Sequence, residues 1–255
     1  MTAITGAKIH QITRLSINLN KIALLRNQRA VGYPSVVAAG RTVLEAGAEG
    51  LTVHPRPDGR HIRHDDVRDL KRLLSAWGGD AEFNIEGNPF DTMMPLALEV
   101  CPEQATLVPD APDASTSDAG WDIDRDGTRL APLIQRLKDR GIRVCLFMEA
   151  NPETVGKAAS IGADRVELYT GPYAEAFGSD RSAETTARYA QTAQAAAEAG
   201  LGVNAGHDLT LENAPALKAA IPFLDEVSIG HAFTADALWL GLTATVAAYR
   251  AALRK

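Results

Sequence analysis

Residues 143–169 read RVCLFMEANPETVGKAASIGADRVELY. The stretch opens on RVCLFM, a short apolar run suited to a strand covered on both faces. Asn151 then suits a helix N-cap, and Pro152 the first helical position, where its missing N–H costs nothing. The Ala-containing run that follows predicts a helix over 151–161, and Gly162 can take the left-handed conformation that ends it. RVELY at 165–169 starts a second strand. Strand, helix and strand in this order make one unit of a parallel sheet.

The same unit recurs in both directions. Strands are predicted over 15–20, 50–54, 82–86, 104–108, 143–148, 165–169, 202–205 and 226–230, most of them near-continuous apolar runs. Helices are predicted over 35–46, 65–77, 130–140, 151–161, 182–199 and 234–253. The joints Ala46-Gly47-Ala48, Ile161-Gly162-Ala163 and Ala199-Gly200-Leu201 repeat the same helix stop. Eight such units in 255 residues favour an α/β fold of one domain over 1–255, a closed (β/α)8 TIM barrel. The alternative is a doubly wound open sheet, which usually carries a Gly-rich turn after its first strand; here Asn18-Leu19-Asn20-Lys21 follows. The polar stretch 109–126 is predicted as a loop over the barrel mouth.

The formal net charge of −6 is spread along the chain, so no basic patch suggests nucleic acid and no basic amphipathic stretch suggests a membrane surface. No run approaches the ~20 apolar residues of a membrane helix, and residues 1–14 lack the apolar core of a secretion signal. The chain is expected in the cytoplasm. Cys101 and Cys145 have no metal-like spacing and are expected as buried free thiols.

In such barrels chemistry sits at the C-terminal strand ends. Those ends carry Asn18, Asn20 and Lys21; His54 and Arg56; Glu86; Pro109 and Asp110; Glu149; Thr170; His207 and Asp208; and Gly230 and His231. His54, His207 and His231, with His61 in the loop after strand two, converge on one rim, and near-neutral imidazoles suit proton transfer. Glu86 reads either as a general base tuned by its pocket or as the salt-bridge partner of an arginine such as Arg56. Glu167 lies inside its strand, where it could stabilise developing positive charge or bridge neighbouring side chains. Gly230-His231, just before the last helix, suits an anion site built from backbone N–H groups. A metal held by His54, Glu86 and His207 is a rival use, without the close His/Glu spacing of zinc motifs.

Taken together, the runs Thr52-Val-His54-Pro-Arg56, Arg60-His61-Ile62-Arg63, Asn84-Ile-Glu86, Leu107-Val-Pro109, Val203-Asn-Ala-Gly-His207 and Ile229-Gly230-His231 resemble the pyridoxine 5′-phosphate synthase family, in order and over nearly the whole chain. The resemblance implies a cofactor-free, metal-free condensation of two small phosphorylated substrates. 3-Amino-2-oxopropyl phosphate and 1-deoxy-D-xylulose 5-phosphate would give pyridoxine 5′-phosphate, phosphate and water, a step of vitamin B6 biosynthesis. By motif, His54 and Glu86 would accept protons, His207 would donate one and Glu167 would stabilise a transition state. Asn18, Arg29, Gly230 and His231 would hold the amino ketone phosphate, and Arg56, His61 and Thr116 the deoxyxylulose phosphate. The family also implies a homo-octamer.

This sequence departs from the family pattern at three places. Asn20-Lys21 stands where Asp-His is usual, Asp208 follows the strand-seven histidine where glycine is usual, and Asp110-Ala-Pro-Asp113 stands where basic residues are often found. Lys21 and Asp208 therefore also count as candidate substrate contacts. Two rival functions follow from these departures: a Schiff-base, aldolase-like enzyme using Lys21, or a non-catalytic protein that binds a B6 phosphate ester.

Overall fold

The structure is a computed structural model and describes residues 12–111, 114 and 117–254. Among these, eight parallel strands close into a barrel in chain order: β1 (Arg14–Asn18), β2 (Gly50–Val53), β3 (Glu82–Gly87), β4 (Gln104–Leu107), β5 (Arg143–Met148), β6 (Arg165–Leu168), β7 (Gly202–Ala205) and β8 (Glu226–Ile229). β8 pairs with β1 through Ser16↔Ser228, which closes the ring and removes the open-sheet alternative. All eight predicted strands are present, with ends shifted by a residue or two.

The helices are α1 (Asn20–Asn27), α2 (Val36–Glu45), α3 (His64–Ser75), α4 (Met93–Val100), α5 (Ile123–Lys138), α6 (Lys157–Ser160), α7 (Gly171–Ala176), α8 (Ser182–Glu198), α9 (Ala214–Ala220), α10 (His231–Leu240) and α11 (Leu242–Ala252). Three differ from expectation for physical reasons. The helix predicted over 151–161 shrinks to α6. Asn151 Oδ1 takes the Glu153 N–H (3.1 Å), and three-residue bonds such as Lys157 N to Thr154 O (3.0 Å) carry the chain through tight turns instead. α5 begins seven residues before the predicted 130, because Asp122 caps it by accepting from the Asp124 and Arg125 N–H groups. That start also shortens the predicted mouth loop, and Trp121 Nε1 ties its end to Leu107 O (2.8 Å). The closing helix is two helices, broken at Gly241 (φ 78°).

The strands are not the continuous apolar runs expected of them; they alternate. Leu15, Ile17, Leu51, Val53, Phe83 and Ile85 face outward and share one apolar cluster with helix residues such as Val43 and Leu70. Most inward residues, Cys145 and Phe147 apart, are polar, and several bond across strands. Ser16 Oγ meets Thr52 Oγ1 (2.7 Å), Thr106 Oγ1 donates to Asn84 Oδ1 (2.9 Å), and Gln104 Nε2 and Asn204 Nδ2 both donate to Glu226 Oε1 (3.3 Å). Cys145 is buried as expected, whereas Cys101 is partly exposed; both are free.

Candidate active site

The C-terminal ends of the strands open into a cavity of about 410 Å³. Asn18, Asn20, Lys21, His54, Arg56, His61, Glu86, His207, Asp208, Gly230 and His231 all line it. The structure thus brings together eleven of the predicted site residues. Glu167 lies beneath them, 1% exposed, with Oε1 4.0 Å from His207 Nδ1. Arg29 is exposed, beyond the end of α1 and outside the cavity lining. Thr116 lies outside the described residues.

Two asparagines link the strand ends. Asn18 Nδ2 donates to Glu86 Oε2 (3.3 Å) while its Oδ1 accepts from the Asn20 N–H (3.0 Å). Asn20 Oδ1 accepts from the His54 N–H (2.9 Å), so the first residue of α1 holds the catalytic candidate at the end of β2. That role needs only an acceptor oxygen, which an asparagine or an aspartate equally provides. Lys21 makes no hydrogen bond or ion pair among the described residues, and its charge helps lower the proton affinities of His61 and His207.

Burial dominates the electrostatics. It pushes Glu86 well above the usual carboxylate range, helped by the charges of Glu167 and Asp110. Burial and Glu226 raise Glu167 to about 8. Burial, then Arg56 and His61, lower His54 well below 6.5. Burial also lowers His207, against the opposing pull of Asp208. Near neutral pH the site therefore holds neutral imidazoles beside carboxyl groups that bind protons tightly. His54 Nδ1 and Glu86 Oε2, 4.0 Å apart, form a pair able to pass a proton between them. His207 has a left-handed backbone (φ 39°), unusual for a non-glycine residue and common at functional sites.

Two further parts of the cavity lining suit an anion. His61, lowered to about 4 chiefly by burial, accepts the Ile62 N–H at Nδ1 (2.9 Å), so its Nε2 carries the hydrogen and can donate. Asn27 fixes that loop by donating to His61 O (2.8 Å), and Arg26 does so from the same helix (3.0 Å). Gly230 packs so closely on Asn18 that a Cβ would lie 3.1 Å from the asparagine Cβ, and α10 begins at His231 directly beyond it.

Four further residues, Asp110, Ser117, Arg60 and Ser228, belong to the site although the sequence reading gave them no role in it. Arg56 pairs with Asp110 (2.6 Å) rather than Glu86, and Ser117 Oγ donates to the same Asp110 oxygen (2.6 Å). Arg60 lines the cavity and donates to Ala114 O (2.9 Å). Ser228 Oγ, buried and facing the cavity, has no hydrogen-bond partner among the described residues. Asp110 and Ser228 both stood at strand ends, and Arg60 lay within a quoted motif. Their signal was position, which fixes neighbours only once the barrel is closed. Among the described residues no group of three or more His, Cys, Asp or Glu is arranged to hold a metal ion.

Known structures share the fold at low identity. A BexX/CysO complex from Amycolatopsis orientalis matches with a TM-score of 0.61 at 16% identity, covering 98% of this chain and 91% of that one. Phosphoribosyl anthranilate isomerase from Thermotoga maritima matches with a TM-score of 0.59 at 13% identity, covering 95% and 98%. Sequence relatives are far nearer. A pyridoxine 5′-phosphate synthase from Albidiferax ferrireducens is 54% identical over 242 residues, 93% of this chain and 96% of that protein. One from Brucella anthropi is 52% identical over 242 residues, 94% and 98%. The family description "pyridoxal phosphate biosynthesis protein PdxJ" matches residues 15–255, from β1 to beyond α11. With that span and those identities, a barrel whose mouth gathers His54, Glu86 and His207 belongs to the PdxJ family.

Proposed function

We propose that this chain condenses 3-amino-2-oxopropyl phosphate with 1-deoxy-D-xylulose 5-phosphate to give pyridoxine 5′-phosphate, phosphate and water. The observation that carries the reading is the convergence of three proton-transfer groups, His54, Glu86 and His207, on one cavity with Glu167 directly beneath. Imine formation, elimination of phosphate and ring closure each need a proton moved on cue. His54 is neutral and ready to accept one, and Glu86, once ionised, is a stronger base than an exposed carboxylate. Asn18, Gly230 and His231 hold the amino ketone phosphate at the start of α10. Arg56, Arg60 and His61 face the deoxyxylulose phosphate, with Thr116 assigned by motif. Arg29 reaches substrate only if its exposed segment moves or serves a neighbouring site.

The reading takes residues 1–255 as one domain, needs no metal or cofactor, and carries a cytoplasmic location and a homo-octamer with it. Exposed Leu238, Trp239 and Leu240 on α10 supply an apolar surface for assembly, and no helix among the described residues is long and apolar enough to cross a membrane. The deciding experiment mixes purified protein with both substrates, without metal or cofactor. Equal amounts of pyridoxine 5′-phosphate and released phosphate support the condensation. Phosphate without the ring product limits the activity to elimination. Neither product, with binding retained, leaves a binding protein.

Lys21, in the cavity without an ion-pair partner among the described residues, favours one second reading: a Schiff-base enzyme acting on a ketose phosphate. Borohydride reduction in the presence of 1-deoxy-D-xylulose 5-phosphate would leave an adduct on Lys21. An unmodified Lys21 ends that reading.

A further inference from the structure

Beneath the cavity lies a buried acid that the roles above leave unused. Glu226, 2% exposed, sits inside the barrel on β8. Glu167, Asn204 and Glu226 occupy one register level across β6, β7 and β8. The hydrogen bonds around Glu226 all point one way. Arg165 Nη1 donates to Asn204 Oδ1 (3.2 Å), and Arg143 Nε donates to Gln104 Oε1 (3.0 Å). The two amides then donate to Glu226 Oε1 (3.3 Å each). Guanidinium charge is thus relayed through two amides onto one carboxylate, which stabilises its ionised form.

Glu167 receives no such donors among the described residues. Its carboxyl lies against the bare backbone of Gly206, where a Cβ would collide with Oε1. Its polar neighbour on the cavity side is His207 Nδ1 at 4.0 Å. Two neighbouring acids in a dry interior resist ionising together, so in the resting protein the one without donors keeps the proton.

We propose that Glu226 is a positioning residue for the reaction: its carboxylate, fixed by Asn204 and Gln104, keeps the proton on Glu167, which passes it to His207 Nδ1 as His207 gives its Nε2 proton to a departing substrate oxygen. The step balances. One O–H bond breaks at Glu167, one N–H forms and one breaks on the imidazole, and one O–H forms on the leaving group. Glu167 ends as a carboxylate and His207 stays neutral throughout. The relay explains how an imidazole whose proton affinity the site lowers can still act as a donor. The relay requires the 4.0 Å separation to shorten when substrate binds, as catalytic hydrogen bonds commonly do. The proposal rests on the assignment of His207 as proton donor made above.

The charged and titratable groups facing the pair are known. Glu167 meets His207 from β7, Glu86 from β3, Cys145 from β5 and Glu226 from β8. Glu226 meets Arg165 from β6, Arg143 and Cys145 from β5, Glu82 and Glu86 from β3 and Arg14 from β1. Burial raises both acids, Glu226 to about 7 against the opposing pull of Arg165, Arg143 and Arg14, and Glu167 to about 8 with the charge of Glu226 adding to it. The amide donors on Glu226, which Glu167 lacks among the described residues, make Glu226 the first to ionise.

Infrared titration of the purified full-length chain tests the pair directly, with Glu167→Gln identifying the protonated-carboxyl band that belongs to Glu167. In the unsubstituted protein that band is expected to persist through neutral pH; its absence at pH 6 overturns the proposal whatever any variant does. Glu226→Gln keeps an acceptor oxygen for both amides but removes the charge. The band should then vanish about one pH unit lower or more, and the alkaline limb of kcat should move down with it. Glu226→Asp keeps the charge and should restore both. An unmoved band in Glu226→Gln overturns the coupling. A band that moves while the limb stays overturns the relay to His207, and leaves the condensation itself untouched.

Discussion

Strand β3 has two faces with opposite physical tasks. Phe83 and Ile85 point outward and are 0% exposed, packed in the apolar shell between barrel and helices. Glu82, Asn84 and Glu86 alternate with them and point inward. The outward face stabilises the barrel by removing apolar area from water. The inward face contributes hydrogen bonds whose net worth is small but whose loss is costly, because unpaired polar groups in a closed barrel find no water. The difference separates folding from chemistry along a single strand: substitutions one residue apart should fail in different assays.

Two substitutions on β3 test that separation at its widest. Glu86→Gln preserves shape and the Asn18 contact but removes the proton acceptor, so kcat should fall by about 10²–10⁴-fold with substrate binding largely spared. Steady-state kinetics beside a binding isotherm check it; near-full turnover would remove Glu86 from the mechanism. Phe83→Ala, three residues away, should instead cost about 3–5 kcal/mol of stability, read by denaturant unfolding, and leave the pH profile of the remaining activity where it was. A shifted profile would show that the two faces are not independent.

The inward face also makes stability depend on pH. Glu167 holds its proton up to about 8 in the fold against an ordinary value of 4.5. The folded protein therefore binds more protons than the unfolded chain between those values, and stability should fall as pH rises from 4.5 towards 8. Glu167→Gln should flatten that decline. On the acid side His61 works in the opposite sense. Its folded value of about 4 lies below the ordinary 6.5, so stability should be lost as pH falls through that interval. Melting temperatures across pH 4–9 test both slopes, and a decline in Glu167→Gln as steep as in the parent chain would place the buried charge elsewhere.

What the residues alone reveal follows from the same two faces. Outward apolar side chains and glycine stops mark each unit locally, so Arg143–Met148 and Arg165–Leu168 are legible in the amino-acid sequence. So are most cavity residues, because the strand end is itself a position in sequence. The inward polar residues are visible too, but they read as interruptions of apolar runs. Only closure puts Gln104 of β4 against Glu226 of β8, 122 residues apart, and turns two isolated polar residues into a network. Arg56 shows the same limit: the candidate acid was Glu86, whereas the folded chain supplies Asp110. α1, α4, α7 and α9 escape a sequence reading because short helices are set by packing more than by their own periodicity.

The smallest expected effect concerns the rim of the cavity. Asp208 lines the cavity and is exposed, so its carboxylate meets substrate through solvent-screened electrostatics. Its measurable pull is on His207, whose proton affinity it raises against the effect of burial. Asp208→Gly should remove that pull and lessen repulsion of an incoming phosphate. KM for the phosphorylated substrates should fall a few-fold, an effect of about 1 kcal/mol, while kcat changes little. The decrease should shrink as salt is added, since screening already weakens a repulsion between exposed charges. If KM instead rises, Asp208 binds substrate directly, as a partner for the ammonium of the amino ketone. The rim would then belong with the inward face, where every charge has a chemical task, rather than with the solvated surface around it.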